Sequence, residues 1–216
     1  DKTGATDVSA AIQEVLDQAG EQGGGVVYLP AGLYRIGTPL TVPAGVQLKG
    51  SSTVGIRDQG VYNKGTHLLA AVGETTGPDN DTAMITLNGD NAGIYGLIII
   101  YINNNPAEPG KEGTTKVYPY TVRGKGKGVY ACYITISAAY NGIDFRGCDD
   151  SIIRGSFFAC FNNTINVGDS KGTFIDGCLQ NPNMVSRIGI RDYVTEMKNW
   201  LTEPYLYPYL VDPLMR

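Results

Sequence analysis

Short segments in which apolar and polar residues alternate recur along most of this chain. Five of them share one form, a short strand pattern that ends in a glycine or a glycine–aspartate turn. Because one such strand cannot bury its apolar side alone, the recurrence predicts coils that stack their strands around a common core. These segments are 46–50, 85–89, 120–124, 143–147 and 165–169.

The later segments are spaced as successive coils of such a stack. The last three begin 23 and 22 residues apart. A second pattern, 151–155, returns 22 residues further on at 173–177 and sets Arg154 against Asp176. Three short strands and tight corners in each coil predict an all-β fold, a parallel β-helix, over residues 1–190.

The start of the chain predicts how the stack begins. Asp7, followed by apolar residues at helical spacing, predicts an amphipathic helix over about residues 7–20 with Asp7 as its N-cap. Such a helix would cover the open end of the first coil. Gly23 to Gly25 then lead into the first strand pattern.

These N-terminal residues resemble the opening of pectate-lyase-like proteins. The resemblance is carried by residues 6–13, 23–36 and 42–50. That superfamily consists of right-handed parallel β-helices and includes exo-β-1,3-glucanases, polygalacturonase relatives and phage tailspikes. The resemblance therefore implies a right-handed β-helix and a secreted, extracellular protein that acts on carbohydrate, but a fold does not decide an activity.

The last part of the chain differs in character from the coils. Residues 191–216 are rich in tyrosine, proline and leucine, and no pattern that would close the stack precedes them. We expect this C-terminal extension to continue into further coils or to pack on a partner, either a second polypeptide or another copy of the chain.

Composition and charge exclude several functions. The net charge is −4 and no dense cluster of Lys and Arg occurs, so nucleic acid is not an expected partner. The longest apolar run, near residues 96–101, is far below the roughly 20 residues that cross a bilayer, so no membrane partner is expected either.

The four cysteines form no Cys-x-x-Cys pair, and we expect buried thiols without disulfides. The single histidine, His67, falls in a predicted loop, so we expect no metal centre.

Alternation within the strands predicts which side chains face solvent. Apolar residues such as Ile143 and Phe145 point inward, and the polar residues between them point outward. Stacking then forms two outward ladders. They comprise Gln47, Thr86, Thr121, Asp144 and Asn166, and nearer the turn Lys49, Asn88, Arg123, Arg146 and Gly168.

Carboxylates near these ladders are the candidates for catalysis. Glycoside hydrolysis uses paired carboxylates, one of which protonates the leaving oxygen while the other acts as base or nucleophile. Asp144 is the acid within a ladder, and Asp150 and Asp169 occupy turns that follow, so we predict these three as catalytic. A structural role is the alternative, with Asp144 a solvated residue paired with Arg123 or Arg146 and the turn aspartates accepting from local amides.

Six neighbouring side chains are predicted to bind the substrate. Ladder polar groups can hydrogen-bond sugar hydroxyls, and tyrosines offer flat faces to pyranose rings. They are Thr121, Asn166, Arg123, Arg146, Tyr118 and Tyr120.

Three functions stay open at this point. The favoured one is a glycoside hydrolase that acts on a polysaccharide or oligosaccharide without a cofactor. A polysaccharide lyase would use calcium bound by acids, with Arg123 or Arg146 removing a proton. A carbohydrate-binding or tailspike-like adhesive module is the third. A polygalacturonase mechanism does not transfer, because Asn141, Asn162 and Asn163 stand where that family has aspartates.

Overall fold

The computed structural model describes residues 1–52, 65–72, 82–104 and 116–180, which form one helix and sixteen strands. The helix, α1, spans Ser9–Glu21. The strands are β1 Thr3–Asp7, β2 Gly25–Tyr28, β3 Gly32–Ile36, β4 Leu40–Pro43, β5 Val46–Lys49, β6 Thr66–Ala70, β7 Ile85–Asn88, β8 Gly93–Tyr95, β9 Ile98–Tyr101, β10 Tyr120–Gly124, β11 Tyr130–Cys132, β12 Thr135–Asp144, β13 Ile152–Arg154, β14 Phe157–Asn166, β15 Phe174–Asp176 and β16 Leu179–Gln180.

The strands form two sheets, and their pairings within the described residues are all parallel. The second sheet has the order β15-β13-β11-β8-β5-β2, and the first contains the remaining strands. Along the chain, one strand of the second sheet is followed by two strand positions of the first, as in β2, β3 and β4. This repeat of three strands per coil is that of a parallel β-helix, as predicted.

The first sheet bends within its longer strands. β12 pairs with β9 through Thr135–Ser137 and with β10 through Asn141–Asp144. Between these stretches Ala138 adopts a φ of 56°, and the pairing with β14 shifts its register. One strand therefore contributes to two faces of the coil.

Stacked apolar rows form the core. In the second sheet Leu48, Ile94, Ala131 and Ile153 lie one above another, and all four are fully buried. Burying an aliphatic side chain of this size stabilises the fold by about 1.5–3 kcal/mol. Stacking thus buries the apolar side of these short strands, as the alternating pattern predicts.

The helix begins two residues later than predicted. Val8 is its N-cap, and Asp7 instead ends β1, with Oδ1 accepting from the backbone N–H of Ser9 at 2.9 Å and of Gly37 at 3.0 Å. The helix packs against β2, β4 and β5, with Ile12 and Leu16 buried. Its role as an end cap stays a prediction. No helix in the described ranges is long and apolar enough to span a membrane.

Two predicted outward ladders are wrong in register. β5 belongs to the second sheet, so Gln47 and Lys49 do not stack on the strands of the first. The step from β10 to β12 is shorter than the sequence spacing suggested, because Arg123 pairs with Asp144. The ladder that forms is Thr41, Thr86, Arg123, Asp144 and Asn166.

The histidine and the cysteines also differ partly from expectation. His67 lies in strand β6 and is buried, not in a loop, and burial lowers its pKa. All four cysteines are free, as predicted, but only Cys148 and Cys160 are buried, whereas the other two are half-buried. Burial raises the pKa of Cys160 to about 12, so this thiol stays protonated and inert. The predicted extension 191–216 lies outside the described residues.

Candidate functional site

An open groove with a volume of about 390 Å³ lies where β10 and β12 end and in the turn after β14. It brings together four residues that the sequence predicted as site residues: Arg123, Asp144, Arg146 and Asp169. Because parallel strands end at one edge of a sheet, three successive coils contribute to it. Its lining is Arg123, Gly124, Lys125, Asp144, Arg146, Gly147 and Asp169.

Asp144 is the centre of the groove's hydrogen bonding. Its Oδ2 accepts from Arg123 Nε at 3.1 Å, from Arg123 Nη2 at 2.9 Å and from Arg146 Nη2 at 2.8 Å. Its Oδ1 accepts from the Arg146 backbone N–H at 3.1 Å and from Arg146 Nε at 2.9 Å. Both oxygens are therefore committed to the two arginines.

Asp144 is buried, and the prediction of a solvent-exposed ladder acid is wrong in this respect, since the residue is 3% exposed. Burial alone would raise the pKa of Asp144. Hydrogen bonds from the Arg146 side chain and backbone, together with the charges of Arg123 and Arg146, outweigh burial and hold the pKa below its ordinary value. Asp144 consequently stays ionised near neutral pH and is poorly suited to donate a proton.

The two arginines are presented differently. The side chain of Arg123 is 8% exposed, whereas that of Arg146 is 47% exposed. The aliphatic stem of Arg146 lies over Gly168, where an added Cβ would come within 2.6 Å of Arg146 Cγ. Because Gly168 has no side chain, the stem of Arg146 can pass over it. The Arg146 guanidinium is held by Asp144 and remains partly exposed to the groove.

Asp169 and Lys125 complete the charged lining of the groove. Asp169 is exposed in the turn that follows β14, as predicted. Lys125 is also exposed and follows directly after β10, where its backbone N–H donates to Leu87 O at 2.8 Å. The sequence reasoning missed Lys125, although the alternating Lys and Gly residues after Arg123 mark a charged turn.

Five of the predicted site residues lie outside the groove lining, and three of these, Asp150, Thr121 and Tyr118, make their contacts elsewhere. Asp150 is exposed and forms an ion pair with Lys127 at 3.0 Å, outside the groove lining. Thr121 is fully buried, and its hydroxyl donates to Asn141 O at 2.7 Å. Tyr118 is fully buried against the ring of Tyr101, with centroids 4.6 Å apart. Predicting Thr121 and Tyr118 as substrate contacts was wrong because both face the packed interior.

Tyr120 and Asn166 support the groove from beside it. Asn166 Nδ2 donates to the Tyr120 hydroxyl at 3.3 Å, and the Arg123 guanidinium lies 5.8 Å from the centre of the Tyr120 ring. Tyr120 is only 5% exposed, so it offers little flat surface to a sugar.

The asparagines at the next corner have structural roles. The Asn141 side chain donates to Tyr118 O at 3.2 Å and accepts from Asn162 Nδ2 at 2.9 Å and from the Asn163 backbone N–H at 3.3 Å. Asn141 is 1% exposed. These amides, which replace the aspartates of the polygalacturonase pattern, therefore stabilise stacked corners.

The groove does not fit a calcium ion. Calcium takes six to eight oxygen ligands, whereas the two carboxylates here are Asp144, with both oxygens bonded to arginine, and the single exposed Asp169. Elsewhere in the described ranges, no three His, Cys, Asp or Glu side chains gather as metal ligands. We therefore derive no step through a metal.

Comparison with known proteins supports the family-level prediction. A family model described as rhamnogalacturonase A/epimerase, pectate lyase-like, matches residues 1–88. No curated protein matches the sequence. A crystal structure of a candidate glycosyl hydrolase from Parabacteroides merdae has a TM-score of 0.56 and 17% identity, with 85% of this chain and 92% of that chain covered.

Two longer proteins share the fold. DFA-IIIase from Arthrobacter chlorophenolicus, solved without its lid, has a TM-score of 0.55 and 13% identity, and the match covers 83% of this chain and 58% of that one. ORF18 of Geobacillus virus E2 has a TM-score of 0.52 and 16% identity, with 83% and 34% covered. These structures show that the chain shares their fold, and the family match at residues 1–88 supports the predicted resemblance to the pectate-lyase-like superfamily.

Proposed function

We propose that the groove is the active site of an enzyme that hydrolyses glycosidic bonds in a polysaccharide, with Asp169 as the proton donor. The observation that carries this proposal is an exposed carboxylate, Asp169, in the same groove as a guanidinium pair that is fixed by Asp144. The family match and the candidate glycosyl hydrolase with the same fold support a carbohydrate-active protein. An extracellular location follows from a polysaccharide substrate, and recovery of the protein from culture medium would test it.

The arginines favour a polysaccharide that carries carboxylate groups. A guanidinium donates two parallel hydrogen bonds to a carboxylate, and Arg146 has nearly half of its side chain open to solvent. Asp144 holds Arg146 through Nε and Nη2, which reduces the conformational freedom that binding would remove. Lys125 adds a further positive charge to the lining.

In this proposal Asp144 is a positioning residue. Both of its oxygens are occupied, and its low pKa opposes proton donation. Asp169 is the other carboxylate of the groove lining. We therefore assign to Asp169 the proton transfer to the leaving oxygen, and to Asp144 the orientation of the arginines that bind the substrate.

The test compares two exposed turn aspartates. Asp169→Asn is expected to lower turnover roughly 100-fold or more, because an amide cannot transfer the proton. Asp150→Asn is the matched control, since Asp150 lies outside the groove lining and should leave turnover unchanged. Release of reducing ends from polygalacturonate, alginate, xylan and laminarin measures both. Full activity of Asp169→Asn, or an equal loss in Asp150→Asn, would overturn the assignment.

Elimination is the second candidate, and the guanidinium pair is what favours it. In this reaction Arg146 would neutralise the carboxylate of a uronate and Asp169 would accept its α proton. The electron pair of that C–H bond forms a carbon–carbon double bond, the bond to the glycosidic oxygen breaks without water, and the leaving oxygen is protonated from solvent. The product carries a carbon–carbon double bond that absorbs ultraviolet light, whereas hydrolysis yields a product without one. New absorbance that rises with the reducing ends would favour elimination, and binding without either product would favour a carbohydrate-binding module.

A further inference from the structure

The second sheet carries an aromatic surface that the groove does not use. Its rings belong to Tyr95 on β8, Tyr130 on β11 and Tyr133 at the corner that follows β11. Gln47 and Lys49 on β5 lie beside them, one and two coils away. We call these five residues the aromatic face.

Tyr130 lies flat on the sheet. A Cβ added at Gly93 would fall within the Tyr130 ring, which shows that the ring covers the backbone of β8 at this glycine. The Tyr130 hydroxyl accepts from Gln47 Nε2 at 2.9 Å, so the side chain spans a whole coil. The residue is half-buried, so part of its side chain is open to solvent.

Tyr133 occupies a corner where three neighbouring coils have glycine. The residues before this corner, Tyr95, Cys132, Arg154 and Asp176, pair in successive coils. The corner residues that follow them are Gly96, Tyr133, Gly155 and Gly177, with φ of 64°, 53°, 59° and 61°.

The left-handed conformation is easy for glycine and strained for tyrosine. Strain of this kind is kept in proteins mainly where the side chain serves a function. Position 133 therefore carries a tyrosine although glycine would fit its backbone conformation better. This indicates that the Tyr133 side chain has a role other than stabilising the fold.

The ring of Tyr133 is held in place and exposed. It lies over Gly155, where an added Cβ would be 2.7 Å from two of its ring carbons. It also packs against the ring of Tyr95, with centroids 5.2 Å apart and planes inclined by 55°. The residue is 37% exposed. Two immobilised rings, those of Tyr130 and Tyr133, thus offer flat surface at little further loss of conformational freedom.

The chemistry of the aromatic face fits a saccharide. Fixed aromatic rings can stack on the apolar faces of pyranose rings, while phenol, amide and ammonium groups bond to hydroxyls. Gln47 and the Tyr130 hydroxyl supply such groups, and the Lys49 ammonium lies 5.4 Å from the centre of the Tyr95 ring. Beside the face, Ile152 on β13 pairs with Tyr130 and is 37% exposed, so the fit to a saccharide rests on the rings and polar groups of the face itself.

We infer that the aromatic face is a second carbohydrate-binding site, separate from the groove, which binds polysaccharide by stacking sugar rings on Tyr130 and Tyr133. The identity of the ligand as carbohydrate rests on the proposed function. The position of the rings does not, because it follows from the contacts with Gly93 and Gly155.

Tyr133→Gly is the decisive variant because glycine already occupies this corner in three other coils. The melting temperature should not fall, since the strained backbone is relieved, while affinity for polysaccharide should weaken roughly threefold to tenfold as a stacking partner is lost. Tyr133→Phe keeps the ring and should bind as the unchanged protein does. Tyr133→Asn, which also accepts left-handed backbone, is the second ring-free variant. Affinity gel electrophoresis in laminarin, xylan, alginate and polygalacturonate measures binding.

The outcomes separate this site from the groove. Retardation of the unchanged protein and of Tyr133→Phe in one of these gels, with less retardation of Tyr133→Gly and Tyr133→Asn, supports the inference. Equal retardation of all variants, or none of the unchanged protein in any gel, overturns it. An Asp169→Asn protein that binds normally but does not cleave supports both sites. Binding through Tyr133 without turnover by the unchanged protein would reject the proposed enzyme and keep the aromatic face.

Discussion

Asp144 illustrates how a residue can look like an exposed acid in the sequence and be a buried member of an ion-pair network in the fold. It is an acid in an outward ladder, yet its carboxylate is buried beneath two arginines that close over it. The neighbours that the sequence offered as an alternative explanation, Arg123 and Arg146, both bind it. The sequence could not predict that the two arginines would shield the Asp144 carboxylate from water. That shielding depends on the 21-residue step that sets Arg123 beside Asp144.

The burial of this ion pair predicts a large effect on stability. Asp144→Asn removes the counter-charge of Arg123, whose side chain is 8% exposed, and should lower the free energy of unfolding by roughly 3 kcal/mol. Asp176→Asn is the matched control, because Asp176 is exposed on β15, where it pairs with Arg154 at 3.5 Å. This variant should lower the free energy of unfolding by less than about 1 kcal/mol. Urea denaturation measures both. Equal losses would mean that the buried pair contributes no more than an exposed one.

At the scale of single elements, strand type was predictable and strand placement was not. Val46–Lys49 (β5) and Ile85–Asn88 (β7) have the same alternating pattern. Nevertheless, β5 belongs to the second sheet and β7 to the first sheet. Both sheets bury one face against a common core, so their strands obey the same alternation. Assigning a strand to its face requires counting three strands per coil, and long insertions before β6, β7 and β10 interrupt that count.

Spacing was informative where coils have no insertion. The 22-residue step correctly set Arg154 against Asp176 and Asp144 against Asn166. The same step leads back from Gly155 to Tyr133, so the glycine-to-tyrosine exchange at the corner could have been found in the sequence. The exchange does not stand out in the repeat, because a repeat is defined by the residues that its copies share and Tyr133 is where they differ.

The helix provides a test of packing at the same scale. Leu16 is fully buried in the core cluster, whereas its neighbour Val15 is 46% exposed. Leu16→Ala should lower the free energy of unfolding by about 2–5 kcal/mol through lost burial and a residual cavity, and Val15→Ala should change it by less than about 0.5 kcal/mol. Thermal or urea unfolding measures both. Similar, small effects would show that α1 contributes little to the stability of the first coil.

For the molecule as a whole, the fold separates a charged groove from an aromatic face. The groove lies at the ends of β10 and β12 in the first sheet, and the aromatic face lies on β8 and β11 of the second. A rigid stack of coils holds both surfaces in fixed relation. If both surfaces bind carbohydrate, a long polysaccharide can contact the two at once, and a shorter oligosaccharide bound in the groove extends less far towards the rings.

This arrangement predicts an effect that depends on the length of the substrate. If Tyr133 binds a polymer while the groove cleaves it, Tyr133→Gly should raise KM for long chains roughly threefold to tenfold. The value of kcat should not change, because the lost contact stabilises the bound substrate and the transition state equally. For a short oligosaccharide, neither constant should change. Asp169→Asn should instead lower kcat on both substrates, since it acts on the chemical step. Initial rates on one polysaccharide and on its purified short oligomers measure this, and an equal rise of KM for both lengths would mean that Tyr133 acts through the groove.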